Sequence, residues 1–301
     1  MLANNNKAII NKLAKNSVKT NKKQYAILFF TIILSAFMLF CVFTIGMTYL
    51  DSSRLQNTRL NGAEYDIATM NGFTSEQLNT LRQNEHIRSV GMESYAGFIQ
   101  STEYDETVEV GLLWCDEVFW DNLMSPARTK LDGHYPQNKN ELMVTKDILK
   151  TCGNENLSVG DSLILTYENN TGVYTDEFII SGIWDGYGDT SAGFVSKAFY
   201  DETGYDLKND GILCIKLNRN YVFPATIQSI EKSLDFSDRQ IFAPTGYIEN
   251  SFKLLLGICG LALVICLSAY LLIYNILYLS VSGKIRYYGL LQSLGMTKKQ
   301  L

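Results

Sequence analysis

The stretch YAILFFTIILSAFMLFCVFTIGMTYL, residues Tyr25–Leu50, decides the architecture of this 301-residue chain. It contains 26 residues without a charge, and Leu254–Ser282 is a second uncharged run of 29 residues. A helix needs about 20 apolar residues to cross a bilayer, so both runs are long enough. A cleaved signal peptide is the alternative for the first run, but a signal peptide has a shorter apolar part followed by a small-residue cleavage site. We therefore predict a membrane protein with two transmembrane α-helices, at residues 25–50 and 254–283.

Charged residues are segregated along the chain. Residues 1–24 contain six lysines, residues 284–301 contain four basic residues, and neither segment contains an acid. All 31 acidic residues therefore lie between Asp51 and Glu249. Because Lys and Arg near the ends of a span stay on the cytoplasmic side, we expect a multi-pass protein of the cell membrane with both termini in the cytoplasm. Residues 51–253 are then extracytoplasmic, and their acidic balance argues against a nucleic-acid partner.

The N-terminal segment, residues 1–24, has the pattern of a basic amphipathic helix. Ile9, Ile10 and Leu13 begin a narrow apolar stripe that lysines flank on both sides. Such a helix binds membrane lipids on the inner leaflet, through apolar burial and attraction to anionic headgroups. The stripe is short, so an ordinary, partly ordered basic flank of the first span stays open as the alternative.

The segment between the spans is predicted to be a mixed α/β domain. Thr74 and Gln77 have the spacing of a capping box and start a helix that strand-like segments precede and follow. A second strand–helix–strand unit follows, in which GILCIKLN precedes Pro224, a residue suited to a first helical turn, and RQIFAPTG comes last. We expect the two units to form one βαβ subdomain from both ends of residues 51–253. Alternating segments between them predict an inserted β-rich subdomain at about residues 118–206.

Motifs for chemistry are sparse. The sequence has no GxxxxGK[ST] phosphate loop, so any ATP is expected to be bound by another polypeptide. His86 and His134 have no neighbours at metal-ligand spacing, and both are expected at the surface. Cys115, Cys152 and Cys214 form no CxxC motif, and the sequence leaves their disulfide status open. We expect no catalytic, cofactor-binding or metal-binding residues in this chain.

Three motifs follow one another between the two predicted spans: LDGHYPQNKNELMVTKDIL, then SVGDSLILTY, then EFIISGIWDGYG. In this order they resemble the extracytoplasmic core domain of FtsX-like, MacB-type ABC transporter permeases. The matching positions are Gly133, Pro136, Glu141, Leu142, Val159, Gly160, Asp161, Phe178, Gly182 and Ile183.

The closing segment, residues 284–301, is similar to the coupling helix of the same family. Tyr288, Gly289, Leu290, Leu291, Leu294, Gly295, Thr297, Gln300 and Leu301 match the pattern YGLLxx[IL]Gx[ST]xxQ[IL]. Many relatives carry a glutamate where this chain has Tyr287, which puts a salt bridge from that position in doubt. Spacing alone also places Tyr287, Leu290, Leu291 and Leu294 on one apolar helix face, with Gly295 suited to end the helix.

The resemblance implies a function. This chain would be the N-terminal part of a permease subunit that transmits the motion of a separate ABC ATPase to an extracytoplasmic domain. The expected ATPase interface is Arg286, Tyr287, Gly289, Leu290, Leu291, Leu294 and Gly295. The family implies a second permease copy or half, a third span that this chain lacks, and clients such as lipids, lipoproteins, peptides or cell-wall enzymes. The alternative is a two-span receptor with an extracytoplasmic sensor domain. The client, the number of spans and the choice between homodimer and heterodimer are left open.

Overall fold

A computed structural model describes residues 7–100, 110–187 and 192–293. Their helices are α1 (Lys7–Thr20), α2 (Lys22–Asn61), α3 (Ser75–Gln83), α4 (Lys146–Thr151), α5 (Lys197–Tyr200), α6 (Leu207–Asp210), α7 (Pro224–Lys232), α8 (Gly246–Ser282) and α9 (Ile285–Ser293). The strands are β1 (Ile67–Met70), β2 (Ile87–Ile99), β3 (Val110–Cys115), β4 (Arg128–Gly133), β5 (Glu141–Thr145), β6 (Ser162–Asn169), β7 (Gly172–Gly186), β8 (Ala192–Val195), β9 (Ile212–Leu217) and β10 (Ile241–Pro244). The chain divides into two compact units, residues 1–49 with 255–301, and residues 50–254, which we call the sheet domain.

The first unit contains the apolar parts of α2 and α8. Both helices are long and apolar enough to cross a membrane, as the two uncharged runs predict. The two helices approach closely at Gly46, where an added Cβ would lie 2.6 Å from the Ile258 side chain. Ile258 and Ala262 are buried, so this side of α8 faces α2. A glycine at this point lets the two helix backbones come together, as small residues do between membrane helices.

Four strands and two helices form one half of the sheet domain. Strands β10, β1, β9 and β2 lie side by side in that order, and all are antiparallel. Helices α3 and α7 connect β1 to β2 and β9 to β10, which is the connectivity of a ferredoxin-like βαββαβ unit. Leu81 of α3 and Ile230 of α7 pack with Ile67 and Ile215 of the sheet in one buried cluster. Both ends of the segment between the spans therefore contribute to this half.

The other half is a closed ring of six strands. Strand β2 continues past its pairing with β9 to pair with β3, and the ring proceeds through β8, β5, β7 and β6. Pairs Phe98–Glu168 and Ile99–Tyr167 join β6 back to β2 and close the barrel. Inward side chains such as Leu112, Leu142 and Phe178 fill its interior. Closure removes the free strand edges that an open sheet of these strands would expose.

The barrel differs from the expected insert in where it begins. We expected a β-rich segment from about residue 118, yet β2 and β3 are barrel strands and both precede that residue. The reason is the length of β2, whose 13 residues serve both halves of the sheet domain. The backbone shifts register between Tyr95 and Gly97, and Gly97 has a φ of +155°. This irregularity lets one strand change partners from β9 to β6.

Gly133 is the first of the matching positions described above, and the structure gives a reason for a glycine there. Its φ is +88°, and an added Cβ would lie 2.2 Å from the carbonyl oxygen of Ser181. Gly133 pairs with Gly182 in the β4–β7 ladder, and both are positions of the resemblance described above. The motif therefore marks a close approach of two backbones in the barrel wall.

Candidate functional site

The predicted coupling segment forms α9, which begins two residues after Gly283 and follows the end of α8. Tyr287 and Leu290 are exposed at 50% and 61%, and they lie on the same side of the helix because they are three residues apart. Arg286 is exposed as well, and an added Cβ at Gly289 would meet no other atom within 4 Å. The described part of this helix thus presents apolar side chains that the chain itself does not cover.

Part of the predicted interface lies outside this description. Leu294 and Gly295 are beyond the described residues, as are Thr297, Gln300 and Leu301, and the Leu291 side chain is outside the description as well. The predicted helix end at Gly295 is likewise outside the described range. The structure therefore brings together Arg286, Tyr287, Gly289 and Leu290 on one short helix, and the rest of the set stays a prediction.

Sequence reasoning missed a buried group of charges in the sheet domain. Lys216 of β9 places its Nζ 3.1 Å from Oε1 of Glu64 and 3.3 Å from Oδ2 of Asp66. Arg54, near the C-terminal end of α2, lies 3.6 Å from the same Glu64 oxygen. The side chains of Lys216 and Asp66 are only 7% and 2% exposed. We call these four residues, Arg54, Glu64, Asp66 and Lys216, the ion cluster.

Asp66 connects the ion cluster to α8. Its carboxylate accepts a hydrogen bond from the backbone N–H of Leu217 at 2.9 Å, which fixes it against β9. Its carbonyl oxygen accepts a hydrogen bond from the backbone N–H of Thr245, the residue before α8, at 2.8 Å. The end of α2 and the beginning of α8 are therefore linked through the side chain and backbone carbonyl of Asp66 and through its neighbours, all within the sheet domain.

Apolar contacts support these links. Leu50 and Thr58 of α2 are buried, and so are Tyr247 and Ile248 in the first turn of α8. Ile248 belongs to the same core cluster as Ile67 and Ile215 of the sheet. The C-terminal end of α2 and the first turns of α8 are thus packed parts of the sheet domain.

Burial raises the pKa of several carboxyl groups in the sheet domain, among them Asp66 and Glu93. It raises the pKa of Asp66, while Lys216 and the hydrogen bond from Leu217 oppose the increase. Burial also raises the pKa of Glu93, on β2, to about 7, and the thiol of Cys214 lies 3.8 Å from its Oε1. Among the described residues no cation offsets the burial of Glu93, so it holds its proton more tightly than an exposed glutamate does.

The described residues provide no metal centre. They include no group of three or more His, Cys, Asp or Glu side chains that could hold an ion. His86 and His134 are exposed, as expected. All six cysteines lie in the described ranges, and all are free thiols.

One sequence signal could have located the ion cluster. Lys216 interrupts the otherwise apolar strand ILCIKL, and a charge inside a buried strand requires a partner. The partner could not be identified, however, because Glu64 and Asp66 are about 150 residues away along the chain and are two of its 31 acids.

Comparisons with known proteins give likenesses of structure only. No family model matches the chain, and no curated protein matches it. Among solved structures, the periplasmic region of MacB from Actinobacillus actinomycetemcomitans is similar, with 12% identity and a TM-score of 0.42 over 64% of this chain and 95% of that one. The extracellular domain of YknZ, a noncanonic ABC-type transporter from Gram-positive bacteria, is also similar, with 12% identity and a TM-score of 0.38 over 58% of this chain and 98% of that one.

Proposed function

We propose that this chain is part of the permease subunit of an ABC transporter of the FtsX/MacB kind. In this proposal α9 binds a separate ATPase subunit in the cytoplasm, and α8 and α2 transmit its movements to the sheet domain on the other side of the membrane. The chain would itself bind no ATP, because its sequence has no phosphate-binding loop.

The observation that carries the proposal is the continuity of the two long helices. Helix α2 runs without a break from Lys22 to Asn61, and α8 runs from Gly246 to Ser282. Each helix contains an apolar segment long enough for a bilayer, and each has an end packed into the sheet domain. The ion cluster and Thr245 then link those two ends to each other. A displacement of α8 would therefore be shared with α2 rather than absorbed by a flexible linker.

The exposed face of α9 supplies the site for the ATPase. Tyr287 and Leu290 present apolar surface on α9, directly after an apolar span. The charged residue of this helix, IRYYGLLQS, is Arg286. An apolar helix face outside the bilayer needs a partner to cover it, and a groove in another protein is a common solution. The competing interpretation is that this face lies on lipid or on other spans of the same protein.

Two glutamate substitutions separate these interpretations. Leu290→Glu introduces a charge on the apolar face, whereas Gln292→Glu introduces the same charge about 160° away around the helix. Both are made in the full-length protein, which is expressed with its ABC ATPase and purified from membranes. We expect Leu290→Glu to lose most of the co-purifying ATPase and Gln292→Glu to retain it, at equal amounts of permease. If Leu290→Glu retains the ATPase as Gln292→Glu does, α9 is not the coupling element.

A further inference from the structure

An exposed aromatic side chain lies in the loop that joins β9 to α7. The loop runs from Asn218 to Phe223, and we call it the aromatic loop. Phe223 is 63% exposed, and it directly precedes Pro224, the first residue of α7. The neighbouring Val222 is buried in the core and holds the loop on the sheet domain. A single exposed apolar side chain is common on protein surfaces, so the position of Phe223 relative to the uncharged runs decides what it contacts.

Contacts place the aromatic loop beside the first turns of α8. The rings of Phe223 and Phe252 pack together with centroids 4.7 Å apart. The hydroxyl of Tyr247 donates a hydrogen bond of 3.2 Å to the carbonyl oxygen of Asn220. Phe252 lies two residues before Leu254, the first residue of the uncharged run, so the helix rises only about 3 Å between them. Phe223 is therefore close to the level at which α8 becomes uncharged.

The end of the first apolar run gives an independent indication of the same level. Tyr221 of the aromatic loop lies near Asp51, the first charged residue after Leu50. Burial and, second, the charge of Asp51 raise the pKa of the Tyr221 phenol. The loop thus lies within electrostatic range of Asp51, the first charged residue after one uncharged run, and contacts Phe252, just before the other run.

The residues around Phe223 have the chemistry of a membrane interface. Arg219 is exposed on the same loop, and Lys253 is exposed on α8 next to Phe252. Aromatic rings at the headgroup level, with Arg or Lys nearby for phosphate, are typical of protein segments at this depth. A headgroup layer is about 5–7 Å thick on each side of the hydrocarbon core, which exceeds the rise from Phe252 to Leu254.

We propose that the aromatic loop is a membrane anchor of the sheet domain. Phe223 enters the interfacial layer of the leaflet on the side of the sheet domain, and Arg219 contacts lipid phosphate. The occupant of this surface is the phospholipid bilayer that contains α2 and α8. The anchor is a third attachment of the sheet domain to the membrane, in addition to the two helices, and it is independent of any ATPase partner.

Tryptophan fluorescence in lipid vesicles tests the anchor with the full chain. Phe223→Trp is reconstituted in phosphatidylcholine–phosphatidylglycerol vesicles, with or without bromine on the upper part of the acyl chains. The unmodified chain provides the background, since Trp114, Trp120 and Trp184 are buried in the protein. Ile164→Trp is the matched control, because Ile164 is 67% exposed on the outside of the barrel. Ala225→Trp, at an exposed position two residues on, replaces Phe223→Trp if that variant does not fold.

We expect brominated lipid to remove most of the emission added by Phe223→Trp, and little of that added by Ile164→Trp. Iodide in the buffer should quench the emission added by Ile164→Trp more than the emission added by Phe223→Trp. The anchor is refuted if brominated lipid leaves the added emission of Phe223→Trp unchanged while iodide quenches it. It is also refuted if the lipid quenches both variants equally, because lipid contact would then not be specific to the loop.

Discussion

Replacing Lys216 by methionine tests how far the ion cluster stabilises the sheet domain. Methionine keeps the volume and apolar stem of lysine but removes the charge. Asp66, whose side chain is 2% exposed, would then be buried without a cation. Removing one partner of a buried pair costs about 3–5 kcal/mol in other proteins. Because Glu64 is 26% exposed and partly solvated, we expect Lys216→Met to lower the free energy of unfolding by the lower limit of this range, about 3 kcal/mol.

The assay is urea unfolding of residues 50–254, which form a compact unit. A loss of about 3 kcal/mol corresponds to a decrease of roughly 1 M in the urea midpoint for a domain of this size. Arg54→Met is the control, since Arg54 is 36% exposed and lies 3.6 Å from Glu64. An ion pair with this exposure contributes at most about 1 kcal/mol.

The pH dependence gives the experiment a second criterion. Burial already raises the pKa of Asp66, and Lys216 opposes that increase, so Lys216→Met raises this pKa further. A carboxyl group with a raised folded-state pKa destabilises the fold when it is charged, and this cost disappears as pH falls below that pKa. The loss of unfolding free energy caused by Lys216→Met should therefore be smaller at pH 5 than at pH 8. A loss that is independent of pH, or no larger than the loss caused by Arg54→Met, would refute the electrostatic explanation.

Four further predictions concern other parts of the chain. Glu93→Gln should stabilise residues 50–254 by up to about 3 kcal/mol at pH 8 and little at pH 5, because the pKa of Glu93 is raised to about 7. Urea unfolding at the two pH values measures this, and equal stabilisation at pH 8 and pH 5 would contradict it. Thr74→Ala should cost about 1 kcal/mol in the same assay, since it removes the hydroxyl that accepts from the N–H of Gln77 at 3.1 Å; Thr74→Ser should retain the cap. Gly133→Ala should cost about 2 kcal/mol or more because of its positive φ and the nearby Ser181 oxygen, and a neutral effect would contradict the described backbone. In intact cells without native cysteines, an impermeant maleimide should label Lys139→Cys and not Lys12→Cys, and the reverse result would overturn the predicted orientation.

Local features of the fold could be predicted because their causes lie within a few residues. The capping box of Thr74 and Gln77 forms as expected, with both reciprocal hydrogen bonds present. Pro224 occupies the first turn of α7, as its missing N–H predicts. The two uncharged runs form helices long enough to span a bilayer. In each case the residue types and their spacing carry the whole physical reason.

The closure of the barrel could not be predicted, because it depends on contacts between distant residues. Strand β2 alternates as one continuous strand, and nothing in its sequence shows that its first half pairs with β9 and its last two residues with β6. Within the described ranges two residue pairs join β6 to β2, and a pattern of alternating apolar residues is equally compatible with an open sheet.

The candidate site was predictable to different extents in its two parts. The apolar spacing of Tyr287 and Leu290 identified α9 from local pattern alone, and the structure shows both side chains exposed on it. The ion cluster requires the folded sheet, since β9 and the start of β1 must first be adjacent before Lys216 can meet Asp66.

The position of β1 between β9 and β10 has a consequence for how the protein is made. Strand β1 is synthesised soon after the first apolar run, but both of its neighbours follow late in the sheet domain, and β10 directly precedes α8. Until β9 and β10 are synthesised, β1 has two unpaired edges, which are sites for aggregation. Contacts between such distant residues also form slowly. Folding of the sheet domain can therefore be completed only after β10 has left the ribosome, and a chain that stalls before Ile241 is left with an open sheet for chaperones and proteases to recognise.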